Sequence, residues 1–361
     1  MKVLHLPISA GGNAWGLAQG ERRLGLESRV LVLGNTAFDY PADVNLHWER
    51  RTAAGKVFSA FREFLRVRKS FDVYHFNFGS SLLDFARFGL PLLDLPFYPK
   101  NKKIVFTYNG CDARQKYQTV KRVAFSACHD PRCYGGMCES GRQDAIRKVK
   151  IKKVGEYADH IFSLNPDLLR VLPERAVFLP YTISSWYELR PEPLRPRKPL
   201  RILHAPTDRR AKGSEIIMNA LNNLKKKFGS TIEITVVENV PNEQALQLIR
   251  EAHLVVDQVL IGWYGGLAVE AMRMGKPVAV FIREEDLTFL PARMRNEVRD
   301  AFINITPDTI EATVENYIDD PSLLIKKSEA ALDYVHRWHD PEYAAGITKS
   351  VYENIEPVCA V

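Results

Sequence analysis

The sequence contains no long apolar run. The nearest candidate, around residues 254 to 269, is broken by Asp257, Gly262, Gly265 and Gly266, short of the roughly 20 apolar residues that a bilayer-spanning helix requires. The opening MKVLHLPISA carries one lysine and only a short apolar stretch before Gly11 and Gly12, so it lacks the charged head and long apolar middle of a secretory signal. Cysteine is scarce: five in 361 residues, an odd number that does not suit a disulfide framework in a chain of this length. No low-complexity tract and no short-period repeat is present, which argues against disordered and solenoid architectures. These absences lead to the expectation of a cytoplasmic protein with ordinary folded cores.

What is present fits two such cores. With 46% hydrophobic and 26% charged residues, the chain is long enough for two domains of about 150 to 200 residues each. The formal net charge of +7 suggests an anionic partner, and nucleotide phosphates, lipid headgroups and nucleic acid all qualify.

Short β-rich runs alternate with helical stretches: KVLHLP at 2 to 7, SRVLVLG at 28 to 34, DVYHFNF at 72 to 78, KIVFTY at 103 to 108, HIFSL at 160 to 164 and AVFLP at 176 to 180. They are nearly continuous in apolar residues, as strands buried on both faces of a parallel sheet are. Residues 182 to 198 break the pattern, and SSWYELRPEPLRPRKP, with four prolines and charge, reads as an extended linker. The alternation restarts with LRILHA at 200 to 205, TIEITVV at 231 to 237, HLVVDQVL at 253 to 260 and PVAVFI at 277 to 282. Between them Ile217, Ala220, Leu221, Leu224 and Phe228 share one helical face. Pro307 reads as the first residue of a helix, and Ser322 to Glu356 as helical with a break at His339, Asp340 and Pro341. The expected organisation is an α/β fold with an N-terminal domain at 1–182, a second at 199–335 and a helical segment at 336–361 packing back toward the first. Two doubly wound domains would place a ligand at the carboxyl ends of their strands, in a cleft between them.

Three loops carry the candidate chemistry. SAGGNAWG at 9 to 16 joins a strand to a helix, with Gly11 and Gly12 leaving amides bare, but it is not a dinucleotide fingerprint: positions 11, 13 and 16 are Gly, Asn and Gly, and the second strand ends in Gly34 and Asn35 with no acidic residue for a ribose. A tight strand-to-helix turn explains it equally well. In GWYGGLAVEAMRMGKPV, residues 262 to 278, Gly265 and Gly266 leave amides unshielded at a helix start, and Glu270 follows one turn later. A phosphate suits such a helix end, and a carboxylate there can accept two hydrogen bonds from a ribose diol. In APTDRRAKGSE, residues 205 to 215, Arg209, Arg210 and Lys212 cluster where a strand enters a helix. Cations at a helix start oppose its dipole, and a bound diphosphate would relieve this; a solvated basic loop is the plainer alternative.

AKGSEIIMNAL and WYGGLAVEAMRMGKPV together resemble the group 1, or family 4, glycosyltransferases of the two-Rossmann GT-B fold. Weaker likeness extends to the turn at 11 to 12, DVYHFNF, FTYNGCDAR at 106 to 114 and YADHIFSLNPDLL at 157 to 169. The resemblance implies retaining transfer of a hexosyl group from a UDP or GDP sugar to a glycan or lipid-linked acceptor, in cell-surface polysaccharide or glycoconjugate assembly. It implies no cofactor and no metal held by a D-x-D motif. By position, Lys212 and Arg210 would be catalytic, neutralising the departing diphosphate. Arg209 and the amides of Gly265, Gly266 and Leu267 would help bind it, Glu270 would hold the ribose, and Gly11 and Gly12 would contact substrate. Three positions depart from the family pattern: Gly262 stands where a glutamate contacts the donor sugar, Thr207 where an arginine is usual, and Asn109 where many members have histidine. Two alternatives follow, a catalytically silent GT-B scaffold and a nucleotide-sugar epimerase.

Other constellations point elsewhere. Cys128, Cys133 and Cys138, with His129 or Cys111, have spacing that permits a structural metal, though buried free thiols are the more frequent outcome. Residues 142 to 158 place Ile146, Val149, Val154 and Tyr157 on one side of a basic helix, which could rest on an anionic membrane or pack on its own sheet. His75, in a buried strand, reads as a satisfied core histidine. No basic patch with interleaved stacking aromatics marks nucleic-acid binding.

Overall fold

A computed structural model of the chain describes residues 1–34 and 39–354. Asn35 and the end of the expected helical segment, including Glu356, lie outside the described residues. Through residue 184 the chain runs β1 (Lys2–Leu6), α1 (Asn13–Arg23), β2 (Glu27–Val32), β3 (Val44–Asn45), α2 (Ala53–Val67), β4 (Val73–Asn77), β5 (Lys103–Tyr108), α3 (Lys116–Arg122), α4 (Arg142–Tyr157), β6 (His160–Ser163) and β7 (Val177–Phe178). It continues with β8 (Leu200–His204), α5 (Arg209–Lys212), α6 (Ser214–Phe228), β9 (Ile232–Val236), α7 (Asn242–Glu251), β10 (Leu254–Val256), α8 (Gly266–Arg273), β11 (Val278–Val280), α9 (Ala292–Ala301), β12 (Ile303–Asn304), α10 (Ile310–Asp319), α11 (Ser322–Trp338) and α12 (Pro341–Tyr352). These elements form two compact units. One takes Met1–Gln115, Gly141–Ser184 and the described residues from Asp340; the other takes Lys116–Ser140 and Ser185–His339.

The first unit is built on a parallel sheet in the order β3-β2-β1-β4-β5-β6-β7. Its central strands are apolar on both faces because both are covered, and Val3, Tyr74, Phe76, Val105, Phe106 and Ile161 are fully buried. α12 returns from the chain's far end to pack on α1. Asp340 caps it by accepting from the Glu342 amide, and Pro341 takes the first helical position, where its missing N–H is no loss. Thr348 and Tyr352 on this helix both donate to the buried carboxylate of Glu21 on α1, at 3.0 and 2.8 Å.

The second unit has a parallel sheet in the order β12-β11-β10-β8-β9. α6 covers it with Ile217, Ala220, Leu221 and Leu224 buried and Phe228 partly so, the face that the 3.6-residue period predicts. The chain leaves β8 toward β9 on one side and returns to β10 on the other, so the order in which strands are added reverses between the parallel β8 and β10. In doubly wound sheets such a reversal opens a crevice at the carboxyl ends of the two strands.

Three local expectations change, and two short strands are added. HLVVDQVL is strand only through Val256, because Gln258 serves the following loop: its side chain accepts from the Ile261 amide at 2.6 Å and donates to the Trp263 and Phe281 carbonyls. Pro307 does not open α10, which starts at Ile310 after a turn tied by Thr306 and Thr309. β3 and β12 are two-residue strands without a visible apolar run. Lys116–Ser140 belongs with the second unit. Its Ala127 amide bonds the Leu260 carbonyl, Phe125 offers its carbonyl to Arg283, and Arg122 pairs with Asp286.

Candidate functional site

The two motif loops of the second unit leave the carboxyl ends of neighbouring strands. Residues 205 to 213 follow β8 and residues 257 to 265 follow β10, with His204 in register with Val256. The loops are joined directly. The Val259 amide bonds the Lys212 carbonyl at 3.1 Å, and the Lys212 ammonium meets the Asp257 carboxylate at 2.5 Å. Beneath them His204 bridges both segments, with Nδ1 donating to the Val256 carbonyl and Nε2 accepting from Ser214, each at 2.8 Å. Burial holds this imidazole below its ordinary pKa, consistent with a neutral ring that donates from one nitrogen and accepts at the other.

Each cation of the cluster has a carboxylate partner. Arg209 pairs with Glu238 at 2.7 Å, Arg210 with Glu215 at 3.3 Å and Asp130 at 3.7 Å, and Lys212 with Asp257. These carboxylates, together with Asp208 capping α5 through the Ala211 amide, offset the unfavourable placement of positive charge at the start of α5. Lys212 is buried and Asp257 is fully buried, while Arg209 and Arg210 reach solvent. One ammonium hydrogen goes to Asp257 and two remain; Asp257 Oδ2 is buried without a partner.

At α8 the backbone is open. Gly265 occupies the cap position without a side-chain cap, and a Cβ there would meet nothing within 4 Å. The amides of Ala268 and Val269 turn back to the Gly265 carbonyl, leaving those of Gly266 and Leu267 ahead of the first intrahelical bond. Glu270, one turn in, is buried. It accepts from Asn242, the first residue of α7, at 3.1 Å and from Ser185 at 3.5 Å. Neither partner is charged, and desolvation pushes its carboxyl up to about 7 despite these bonds. The seat thus draws on the loops after β8 and β10 and on the start of α7.

The aromatic pair ahead of the glycines anchors this loop. Trp263 and Tyr264 are buried, and the Tyr264 hydroxyl meets Tyr334 at 2.7 Å and His339 at 2.8 Å while its ring stacks on Phe302. Gly262 has φ +85°, and a Cβ there would lie 2.5 Å from Nη1 of Arg283. That guanidinium is almost fully buried, reaching Asp286, the Phe125 carbonyl and the Ile261 carbonyl. A buried cation therefore stands against position 262. Sequence reasoning did not find Arg283, Asp257 or Asn242. The lone acid closing an apolar strand was the available signal for Asp257; Arg283 and Asn242 lie in other loops and offered none.

In the first unit Gly11 and Gly12 follow β1. A Cβ at 11 would strike the Tyr181 hydroxyl at 1.8 Å and one at 12 the Ser184 side chain at 2.7 Å, so packing by Tyr181 and Ser184 accounts for the glycines without a ligand. Asn109 follows β5, and both polar atoms of its amide are buried without a partner. His75 is the satisfied core histidine expected: Nδ1 contacts the Tyr352 hydroxyl and Nε2 the Thr107 hydroxyl, each at 2.6 Å. His5, Glu21 and His75 are the group whose ligand atoms lie within 4.8 Å of one another among the described residues. Among the described residues no such group includes Cys111, Cys128, His129, Cys133 or Cys138. The stripe of residues 142 to 158, read as facing either a membrane or its own sheet, is divided. Val154 lies in the core, whereas Val149 and Tyr157 face outward.

A cavity of about 540 Å³ in the second unit lies at the opposite end of the sheet. Residues next to the amino ends of β8, β10 and β11 line it, among them Arg201, His253 and Lys276, and none of the residues described above belongs to it.

No family model and no curated protein sequence matches the chain. Solved structures do. Sucrose-phosphate synthase from Thermosynechococcus elongatus is 14% identical with a TM-score of 0.61, covering 98% of each chain. An alpha-glucosyltransferase in complex with UDP and a 13-mer DNA is 10% identical with a TM-score of 0.61, covering 98% of this chain and 99% of its own. A candidate UDP-N-acetylglucosamine 2-epimerase from Listeria monocytogenes is 14% identical with a TM-score of 0.56, covering 99% and 98%. At such identities the likeness is one of fold: this chain has the GT-B fold, two Rossmann-like units each built on a doubly wound parallel sheet.

Proposed function

We propose that the chain is a glycosyltransferase of the family 4 type, moving a hexosyl group from a UDP or GDP sugar to a glycan or lipid-linked acceptor with retention of configuration and without a metal. The observation that carries this reading is the meeting of three features at the β8–β10 reversal: uncapped amides opening α8, a buried lysine tied to the neighbouring loop, and a carboxyl one turn into the helix. The donor's bond from C1 to the phosphate oxygen breaks and the diphosphate takes the electron pair. Lys212 and Arg210 neutralise that charge, Arg209 adds to the field, and the amides of Gly266 and Leu267 beyond Gly265 cup the phosphates. Ionised Glu270 accepts from the ribose hydroxyls. The space beside Gly11 and Gly12 is filled by Tyr181 and Ser184, so only their backbone, at the carboxyl end of β1, is assigned to sugar or acceptor contacts, together with the unpartnered Asn109 side-chain amide. Neighbours with UDP bound support the donor class.

The test is incubation with a panel of labelled UDP and GDP sugars, with and without chelator. Transfer or hydrolysis that survives chelation and is lost in Glu270→Ala and Lys212→Ala is the expected result, and the anomeric configuration of the product checks retention. A second reading, a silent scaffold, is favoured by Arg283, which closes the space over Gly262 where the resembled family has its sugar-contacting glutamate. Nucleotide binding without turnover for any donor would establish it.

A lipid-linked acceptor calls for contact with a membrane, and α2 supplies the surface that α4 does not. Phe58, Phe61 and Leu65 on α2 are half exposed or more, with Arg62 on the same helix and Lys69 just past its end, while Arg66 is paired with Glu63; exposed apolar residues beside cations suit an anionic interface. Flotation with anionic vesicles is expected to carry the protein upward, and Phe58→Ser with Phe61→Ser to leave it behind.

A further inference from the structure

The cavity at the amino end of the second sheet is lined by five basic side chains, Arg195, Arg197, Arg201, Arg250 and Lys276, against two carboxylates, Glu192 and Glu251. Both carboxylates are already engaged. Glu251 meets Arg201 at 3.1 Å, and Glu192 meets Arg250 at 3.6 Å. Lys276, Arg195 and Arg197 have no ion pair among the described residues. Arg195 and Arg197 are exposed on the linker, where solvent satisfies them, but Lys276 retains only 6% of its accessible surface. Its side chain is buried, it makes no ion pair, and the Glu192 carboxylate that favours its charge is already engaged by Arg250, so an anion would complete its surroundings.

A second buried group points the same way. His253 is 6% exposed, and its Nδ1 accepts from the Arg201 amide at 2.9 Å. Its remaining nitrogen, Nε2, therefore carries a proton in the neutral ring and is a donor. Desolvation lowers both groups from their ordinary pKa values; at Lys276 Glu192 works against it and Arg250 with it, and at His253 Lys276, Arg201 and Arg197 lower it further. A dianion seated here would reverse both effects. The volume is within the usual range for a small-molecule site.

We propose that this cavity is a second anion site, taking a phosphate group with two negative charges, as in a phosphate monoester or a diphosphate, with Lys276 and His253 as the buried donors and Arg197 closing over it. The group could arrive on a soluble metabolite or on a lipid headgroup. The site lies across the sheet from the nucleotide seat and does not depend on the sugar-transfer reading.

Titration calorimetry of the full chain with inorganic pyrophosphate and with a soluble sugar phosphate, at matched ionic strength, tests it. Saturable binding is expected to persist in Lys212→Met, which removes the lysine at the other end of the sheet, and to weaken about tenfold or more in Lys276→Met, the loss expected when a desolvated charge partner is removed. Arg197→Ala, on the exposed linker, gives the same reading should Lys276→Met fold poorly. Vesicles of phosphatidylcholine with and without phosphatidic acid form the second arm. Binding to phosphatidic acid vesicles alone, lost in both variants, assigns the site to a headgroup; binding of the soluble esters, lost in both, assigns it to a metabolite. Equal affinity of parent and variants for every probe, or no saturable binding in either arm, overturns the proposal.

Discussion

At the scale of single residues, Glu270 makes the seat's design measurable. A carboxyl raised from 4.5 to about 7 binds its proton more tightly in the folded chain than in the unfolded one. The stability linked to that proton is fully present below about pH 4.5 and is lost as pH rises through 7. Ionising this buried group costs about 3 kcal/mol by pH 8. Glu270→Gln keeps an oxygen for Asn242 and Ser185 and avoids the charge. In urea unfolding it should match the parent near pH 4.5 and exceed it by up to about 3 kcal/mol near pH 8; equal stability at both would show that Glu270 is not raised. If ribose hydroxyls bind the ionised form, UDP uptake near pH 7 also releases a proton, visible as a dependence of binding heat on buffer ionisation enthalpy, and absent in Glu270→Gln. Gly262 offers a second check. Its φ of +85° and the guanidinium 2.5 Å from any Cβ mean that Gly262→Ala meets both strain and a clash with a side chain held by Asp286 and two carbonyls. A loss of about 2 kcal/mol or more is expected, and a neutral result would mean that Arg283 can move aside.

At the scale of elements, α12 is held to the first sheet by a buried polar network. Burial pushes Glu21 up, but the His5 contact and the hydrogen bonds from Ser28 and Tyr352 outweigh it, and the carboxyl lies below its ordinary value. Burial drives His75 well below its own, helped by His5 and His160. Glu21 therefore contributes stability that is present above about pH 4.5 and lost as pH falls below it, and His75 contributes stability that is lost as pH falls below its ordinary 6.5. Tyr352→Phe removes the hydroxyl that serves both groups. It should lower stability at neutral pH by about 2 kcal/mol, since a buried acceptor is left short, and move the acid unfolding midpoint upward; an unchanged midpoint would place the network outside the stability of this unit. Elements of this kind were unevenly legible. The strands showed because parallel strands covered on both faces are continuous in apolar residues, and α6 because its period was complete. β3 and β12 were too short to have a pattern. Lys116–Ser140 could not be assigned to the second unit, because the bonds that place it, from Ala127 to Leu260 and from Arg283 to Phe125, join residues distant in sequence. Of the carboxylates that pair with Arg209, Arg210 and Lys212, Glu238, Asp130 and Asp257 were hidden for the same reason and only Glu215 lies in the same motif, while the glycines and Glu270 were visible because their chemistry is local to one turn.

At the scale of the whole molecule, the described residues pass between the two units four times, at 115, 140, 184 and 339. The last crossing returns α12 to the first unit, so the end of the sequence completes a core begun by residue 2. All the residues proposed for the diphosphate and ribose lie inside the second unit. Ending the chain after His339 separates these two facts. The truncation strips α1 of the helix that packs on it, exposes the surfaces covered by Ala344, Ala345 and Tyr352, and removes from Glu21 two of its hydrogen bonds. Losing a packed helix together with a buried carboxylate's partners should cost several kcal/mol, enough to lower a transition of a unit this size by on the order of 10 °C. Scanning calorimetry of the truncated chain should then show an early transition absent from the parent and a later one at the parent's position. Added UDP should raise the later one and leave the early one in place, because a ligand stabilises only what binds it. If UDP raises the single transition of the parent but neither transition of the truncated chain, the nucleotide seat requires the first unit, and the assignment of donor binding to Lys212, Glu270 and the opening of α8 is incomplete.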